Sequence, residues 1–169
     1  MFAIGDYVIS GSNGICLVQE ITTLNISGVD KNRKYYLLKP VFASGSTVYV
    51  PLDTADTTMR KALSKEEALS VIKSIPQIPF IPLADEKTLE RTYKEYIRQN
   101  SCEGWIKLIK TIYLRKEKRI LKGCKVTAVD SRYFKQAEDY LYGEFSVALD
   151  MTKDEVRAYI EDTLSKENE

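Results

Sequence analysis

The chain has 169 residues, 44% of them hydrophobic and 29% charged, with a formal net charge of +1. That size and balance fit one domain or two small ones with a buried core, and exclude a chain disordered by composition. Histidine is absent and the three cysteines, Cys16, Cys102 and Cys124, stand far apart; this removes the commonest general base and zinc ligand, and leaves neither a metal-ligand spacing nor a disulfide framework.

No basic stretch followed by an apolar one opens the sequence, and no apolar run reaches the roughly 18 residues a transmembrane helix needs. The reading is a reduced, cytoplasmic protein without a membrane span. There is no Gly-rich phosphate loop and no acidic metal motif. An enzyme built from this chain would have to work with carboxylates, Lys or Tyr alone, and no acid/base constellation emerges. Neither a cofactor nor a small-molecule substrate is expected.

Up to about residue 62 the sequence is strand-like. Tyr7, Val8 and Ile9 form a first strand, the turn cluster 10–14 follows, and residues 15–21 form a second strand. After a turn at 26–31 comes a strand over 34–40. A tight turn at 43–46 leads to a strand over 46–51 with clear alternation, ended by Pro51. Short strands separated by turn signals suggest a small twisted barrel or half-barrel.

The period then becomes helical. Ser64 and Glu67 form a capping box ahead of the stripe Ala68, Leu69, Ile72 and Ile75. Residues 76–82 hold three of the five prolines and read as a stiff linker. Asp85, Ser101, Thr127 and Thr152 are placed to cap four further helices. Their apolar stripes are Leu89, Tyr93 and Ile97; then Ile106, Ile109, Ile112 and Tyr113; then Tyr133, Phe134, Ala137, Tyr140, Leu141 and Phe145; and last Val156, Tyr159 and Ile160. Four short-linked helices make a compact helical domain. The aromatic residues, Trp105 included, recur at helical spacing among apolar neighbours and read as core.

Charge is uneven. From Lys107 to Lys135 there are ten basic residues against two acids, Glu117 and Asp130, whereas the chain from Glu138 onward is acidic. Such a cluster makes a local positive field suited to phosphate, or a solvated basic face balanced elsewhere. It lacks interleaved aromatics, which favours backbone contact over base stacking.

The opening "MFAIGDYVISGSNGICLVQEI", then "YYLLK", then "STVYVPLDTAD" and the helix after "LSKEEA" resemble the CarD-like transcriptional regulators. Phe2, Ile4, Gly5, Asp6, Gly14, Val48, Val50 and Pro51 carry the likeness. The same module occurs in transcription-repair coupling factors. The helical half, with "TYKEYI" and "YFKQAEDYLYGEFSVAL", resembles the CarD C-terminal domain more weakly. The resemblance implies an α+β chain. A Tudor-like β-barrel over residues 1–75 would bind the β-subunit of bacterial RNA polymerase. A proline-rich linker over 76–84 would lead to an all-helical domain over 85–169 that contacts promoter DNA near the upstream edge of the open bubble.

The polymerase-facing residues it implies are Leu24, Thr47, Val48, Tyr49 and Val50, with Leu24 and Tyr49 where the family carries arginines. Leu89 falls where the family carries a Trp that wedges into the minor groove. The candidate phosphate contacts are Arg91, Lys94 and Arg98 on one helical face, with Arg115, Lys116, Arg119, Arg132 and Lys135 from the basic stretch. The alternative is an adaptor that uses the β-module to bind protein and does not bind DNA.

Overall fold

The computed structural model describes residues 1–83 and 85–167; Ala84, in the expected linker, and Asn168 and Glu169, at the end of the expected helical domain, lie outside the described residues. The chain divides into two compact units, Met1–Ala62 and Leu63–Glu169. Among the described residues no helix is long and apolar enough to cross a membrane.

The first unit is an antiparallel sheet of β1 (Tyr7–Ser10), β2 (Ile15–Thr23), β3 (Lys34–Pro40), β4 (Val48–Pro51) and β5 (Met59–Lys61), with α1 (Leu52–Thr58) between the last two. β-Branched and aromatic residues dominate the strands, as a half-buried pleated surface favours. Between β1 and β2, Gly14 takes φ 67° and ψ −144°, a conformation open to glycine and strained for other residues. A bulge at Gln19 shifts the β2–β3 register between Val18 and Glu20.

The strand order is β4-β3-β2-β1-β5, so the expected barrel is corrected to an open sheet. Among the described residues β4 pairs only with β3, and β5 only with β1. The short helix α1 packs against β3, β4 and β5 instead. Val8, Cys16, Val18, Tyr36, Leu38 and Val50 form the core on one sheet face, completed by Ala55 of α1 and Met59. Phe2 closes one end, its ring edge-on to Tyr36 at 5.8 Å and its N–H donating to the Tyr36 hydroxyl. Burial pushes the Cys16 thiol up to about 11, which makes it an inert packing group.

The second unit comprises α2 (Lys65–Ser74), α3 (Leu89–Arg98), α4 (Cys102–Leu121), α5 (Ala128–Leu149) and α6 (Lys153–Glu167). Every cap expected from the sequence is made. Ser64 and Glu67 form the reciprocal box. Side-chain oxygens of Asp85, Ser101, Thr127 and Thr152 accept from the N–H groups of Thr88, Gly104, Asp130 and Glu155. Asp85 caps a single 3-10 turn, Glu86–Thr88, that runs into α3. Trp105, Tyr93, Phe145, Ile106, Leu108 and Ile112 are fully buried, as the core reading expects, whereas Phe134, Tyr140 and Tyr159 are half-buried and Tyr113 is exposed.

The sequence groups the helix after Ser64 with the β-module, whereas the observed division puts α2 in the second unit. Its buried face, Ala68 and Ile72, explains this: α2 packs on α5 and α6, and the Leu63 N–H donates to Glu144 Oε2 on α5 at 2.8 Å. The proline-rich segment is likewise no free linker. Lys110 Nζ on α4 donates to the carbonyls of Ile75 (2.8 Å) and Ile78 (2.6 Å), the Ile81 N–H donates to Thr111 Oγ1, and both isoleucines 78 and 81 are buried. The strap keeps one 3-10 turn, Ile75–Gln77, closed by the Ile78 N–H on the Ile75 carbonyl, and α4 supplies further partners for its backbone.

Candidate functional site

In the first unit β4, the strand expected to face the polymerase, lies at a sheet edge. Among the described residues no strand pairs with the outer side of β4. Tyr49 points outward and is 46% exposed, while Val50 is buried and Val48 half-buried on the opposite face, as period two requires. Thr47 is exposed and lies one residue before β4. Leu24 is not beside this edge. It follows the last residue of β2, and the register that pairs Thr22 with Tyr35 and Tyr35 with Pro51 puts it at the Pro51 end, with β3 between. The sequence reading missed Val41 and Phe42, both exposed in the loop leading into β4. Two large apolar residues ahead of a Ser/Gly turn were the available signal. Arg33 grips Asp53 of α1 in a bidentate pair (3.2 and 2.8 Å), joining the β2–β3 loop to α1.

In the second unit the structure sorts the basic residues into two groups. Arg91, Lys94 and Arg98 share one exposed face of α3, with Glu90 and Glu95 at its sides. Lys135 is exposed on α5. The remaining four have duties inside the unit. Arg115 donates through Nε to Asp130 (3.1 Å) and through a terminal nitrogen to Glu86 (3.2 Å). Lys116 stands 4.3 Å over the Phe134 ring. Arg119 donates to the Lys125 carbonyl at 2.8 Å and fastens the α4–α5 corner. Arg132 pairs with Glu90 and lies over Tyr133. The ten-to-two imbalance of this stretch is therefore partly cancelled by acids elsewhere in the chain.

Leu89 requires a correction. It is 6% exposed, at the start of α3, and belongs to the core. A side chain with so little free surface has no wedge to offer.

The unit buries two carboxylates, Asp130 and Glu144. They lie 14 residues apart on α5, about 21 Å along the axis, too far to act as a pair. Asp130 accepts from the Tyr93 hydroxyl and Arg115; Glu144 accepts from the Leu63 N–H and the Cys102 thiol (3.1 Å). Both are structural acceptors. Among the described residues no group of three or more Cys, Asp or Glu side chains could hold a metal ion.

The first unit thus presents an open five-stranded sheet with an exposed edge at β4. Residues 2–63 match the family model described as the CarD-like/TRCF RID domain, which likens the first unit to an RNA-polymerase-interacting, transcription-associated module. The match ends where the second unit begins. No curated protein matches the chain.

Proposed function

We propose that this protein is a transcription regulator that docks on the β-subunit of bacterial RNA polymerase through β4 and touches promoter DNA through its helical unit, near the upstream edge of the open bubble. The observation that carries the reading is the RID-domain match over the unit whose β4 edge is open. Strand addition along β4 supplies main-chain bonds, and outward side chains supply selectivity. Tyr49 is the anchor. Tyr49→Glu is expected to weaken β-subunit binding about tenfold or more, the loss typical of an aromatic hot spot, with the circular dichroism spectrum unchanged. Unaltered binding in a pull-down would move the interface off β4.

The DNA-facing side is Arg91, Lys94 and Arg98, with Lys135 as a further candidate. Each cation that meets a phosphate releases counterions on binding. Changing any one of the α3 three to Gln is expected to reduce the salt slope of bubble-DNA binding by about one unit and to weaken binding equally across sequences. Slopes identical to wild type would return the face to solvent.

The adaptor reading draws support from the internal employment of Arg115, Lys116, Arg119 and Arg132 and from the burial of Leu89. A mobility shift on bubble DNA separates the two: salt-sensitive binding excludes an adaptor that never meets DNA.

A further inference from the structure

Three cations on α3 stand apart from the other basic residues. Arg91, Lys94 and Arg98 are exposed, and among the described residues none of them forms an ion pair, whereas Arg115 and Arg132 are held by Glu86, Asp130 and Glu90. With Glu90 and Glu95 they line one cleft of about 360 Å³. At about 100° per residue the three cations fall within an arc of about 60°, and the two acids lie about 40° beyond its two edges.

The two carboxylates differ. Glu90 turns toward α5, where it accepts from Arg132 and from the Tyr133 hydroxyl (3.2 Å). Glu95 is exposed, and no cation among the described residues pairs with it. Lys87, four residues before Arg91, lines a neighbouring cleft with Glu86 and Leu89. The positive strip is therefore one side chain wide, bounded by a neutralised pair on one side and by an open carboxylate on the other. Along the axis its cations follow at rises of about 4.5 and 6 Å, with no neutral gap. A helix that bridged a groove would need charge at two separated ends, and a lysine at its middle would face no phosphate. An unbroken row instead suits consecutive phosphates, which a single strand repeats at a fixed short interval. Such contacts set position and orientation on the strand and carry no base information. Glu95, beside the row, repels the same phosphates.

Resting on the DNA-contacting reading of this helix, we propose that α3 holds one strand of the DNA through consecutive phosphates and that Glu95 limits how tightly it does so. The test is titration of bubble DNA in which windows of three neighbouring phosphates are replaced by neutral methylphosphonates, one strand at a time. One window on one strand is expected to weaken binding about tenfold or more, as for loss of several ionic contacts, and every window on the other strand to leave affinity unchanged. The variant carrying Arg91→Gln, Lys94→Gln and Arg98→Gln together is expected to bind modified and unmodified DNA alike. Glu95→Gln is expected to tighten binding to unmodified DNA about two- to fivefold, the scale of one exposed charge contact. Circular dichroism spectra of both variants are expected to match wild type, since all four positions are exposed. Salt-sensitive binding with sensitive windows on both strands gives α3 to a groove and overturns the proposal, although DNA contact stands. Salt-sensitive binding with no sensitive window, or a Glu95→Gln affinity equal to wild type, overturns it too. Absence of any salt-sensitive binding removes this proposal and the DNA-contacting reading together.

Discussion

Asp130→Ala is expected to destabilise the helical unit by about 3–5 kcal/mol, the range for removing one partner of a buried ion pair. Asp130 is 0% exposed on α5. One carboxylate oxygen accepts from the Tyr93 hydroxyl of α3 at 2.8 Å, the other from Arg115 of α4 at 3.1 Å, so a single side chain ties three helices. Arg115 is itself only 20% exposed, and its second acceptor, Glu86, lies toward solvent. Without Asp130 the guanidinium loses its inner partner and the phenol keeps a donor with no acceptor, in a place water does not reach. Burial first, and then Asp130, hold the Tyr93 hydroxyl well above its ordinary range, so it remains a donor throughout the working pH. Asp130→Asn keeps an acceptor for Tyr93 but turns an NH2 donor toward Arg115, giving up the charge and that one bond while the phenol stays paired, so a smaller loss of about 1–3 kcal/mol is expected. Urea unfolding checks both variants: the midpoint falls in the order wild type, Asn, Ala with an unchanged slope. An Ala midpoint equal to wild type would mean that the network contributes nothing.

That network also marks the limit of what the sequence reveals. Caps are local: a hydroxyl or carboxylate oxygen reaches an N–H two or three residues on, so Ser64, Asp85, Ser101, Thr127 and Thr152 could be read directly. The strands read at 7–9, 15–21 and 34–40, observed at 7–10, 15–23 and 34–40, were legible for the same reason, since alternation and turn residues are local signals. Closure of the sheet was not, because alternation tells which face a residue takes and nothing about which strand lies beyond an edge. The basic stretch misled in a similar way. A count along the chain gives its charge and not the direction of each side chain, and Arg115 finds its acids 15 residues ahead and 29 residues behind. One clue was present. Asp130 stands three residues before Tyr133 and seven before Ala137, on the apolar stripe of α5, and a carboxylate at a core position implies a buried partner.

The α2 helix and the proline strap show the same division between local and distant information. The capping box predicted the helix, and the three prolines predicted a segment outside any α-helix. Where they belong depends on Glu144, 81 residues from the Leu63 N–H that it accepts, and on Lys110, more than 30 residues from the carbonyls it binds. Buried polar groups must find partners somewhere. Here the partners are on α4 and α5, which draws the segment after Ala62 into the helical unit.

Leu89→Ala is expected to cost about 2–5 kcal/mol of stability, as for a leucine removed from a packed core, and to leave bubble-DNA affinity unchanged per folded molecule. Leu89 opens α3 and stands one turn ahead of the fully buried Tyr93, whose hydroxyl holds Asp130. The void left by truncation would therefore lie close to the network that ties α3 to α4 and α5. Leu89→Trp separates packing from DNA contact more sharply. In a filled core the larger ring overpacks and lowers stability by about 1–3 kcal/mol; at an exposed tip it would leave stability alone and tighten binding to an opened base step. The burial of Leu89 predicts the first outcome. A thermal melt of both variants beside a bubble-DNA titration decides it: unchanged melts together with a tighter Trp variant would restore Leu89 as the wedge, whereas two lowered melts at constant affinity leave DNA contact to the cations of α3.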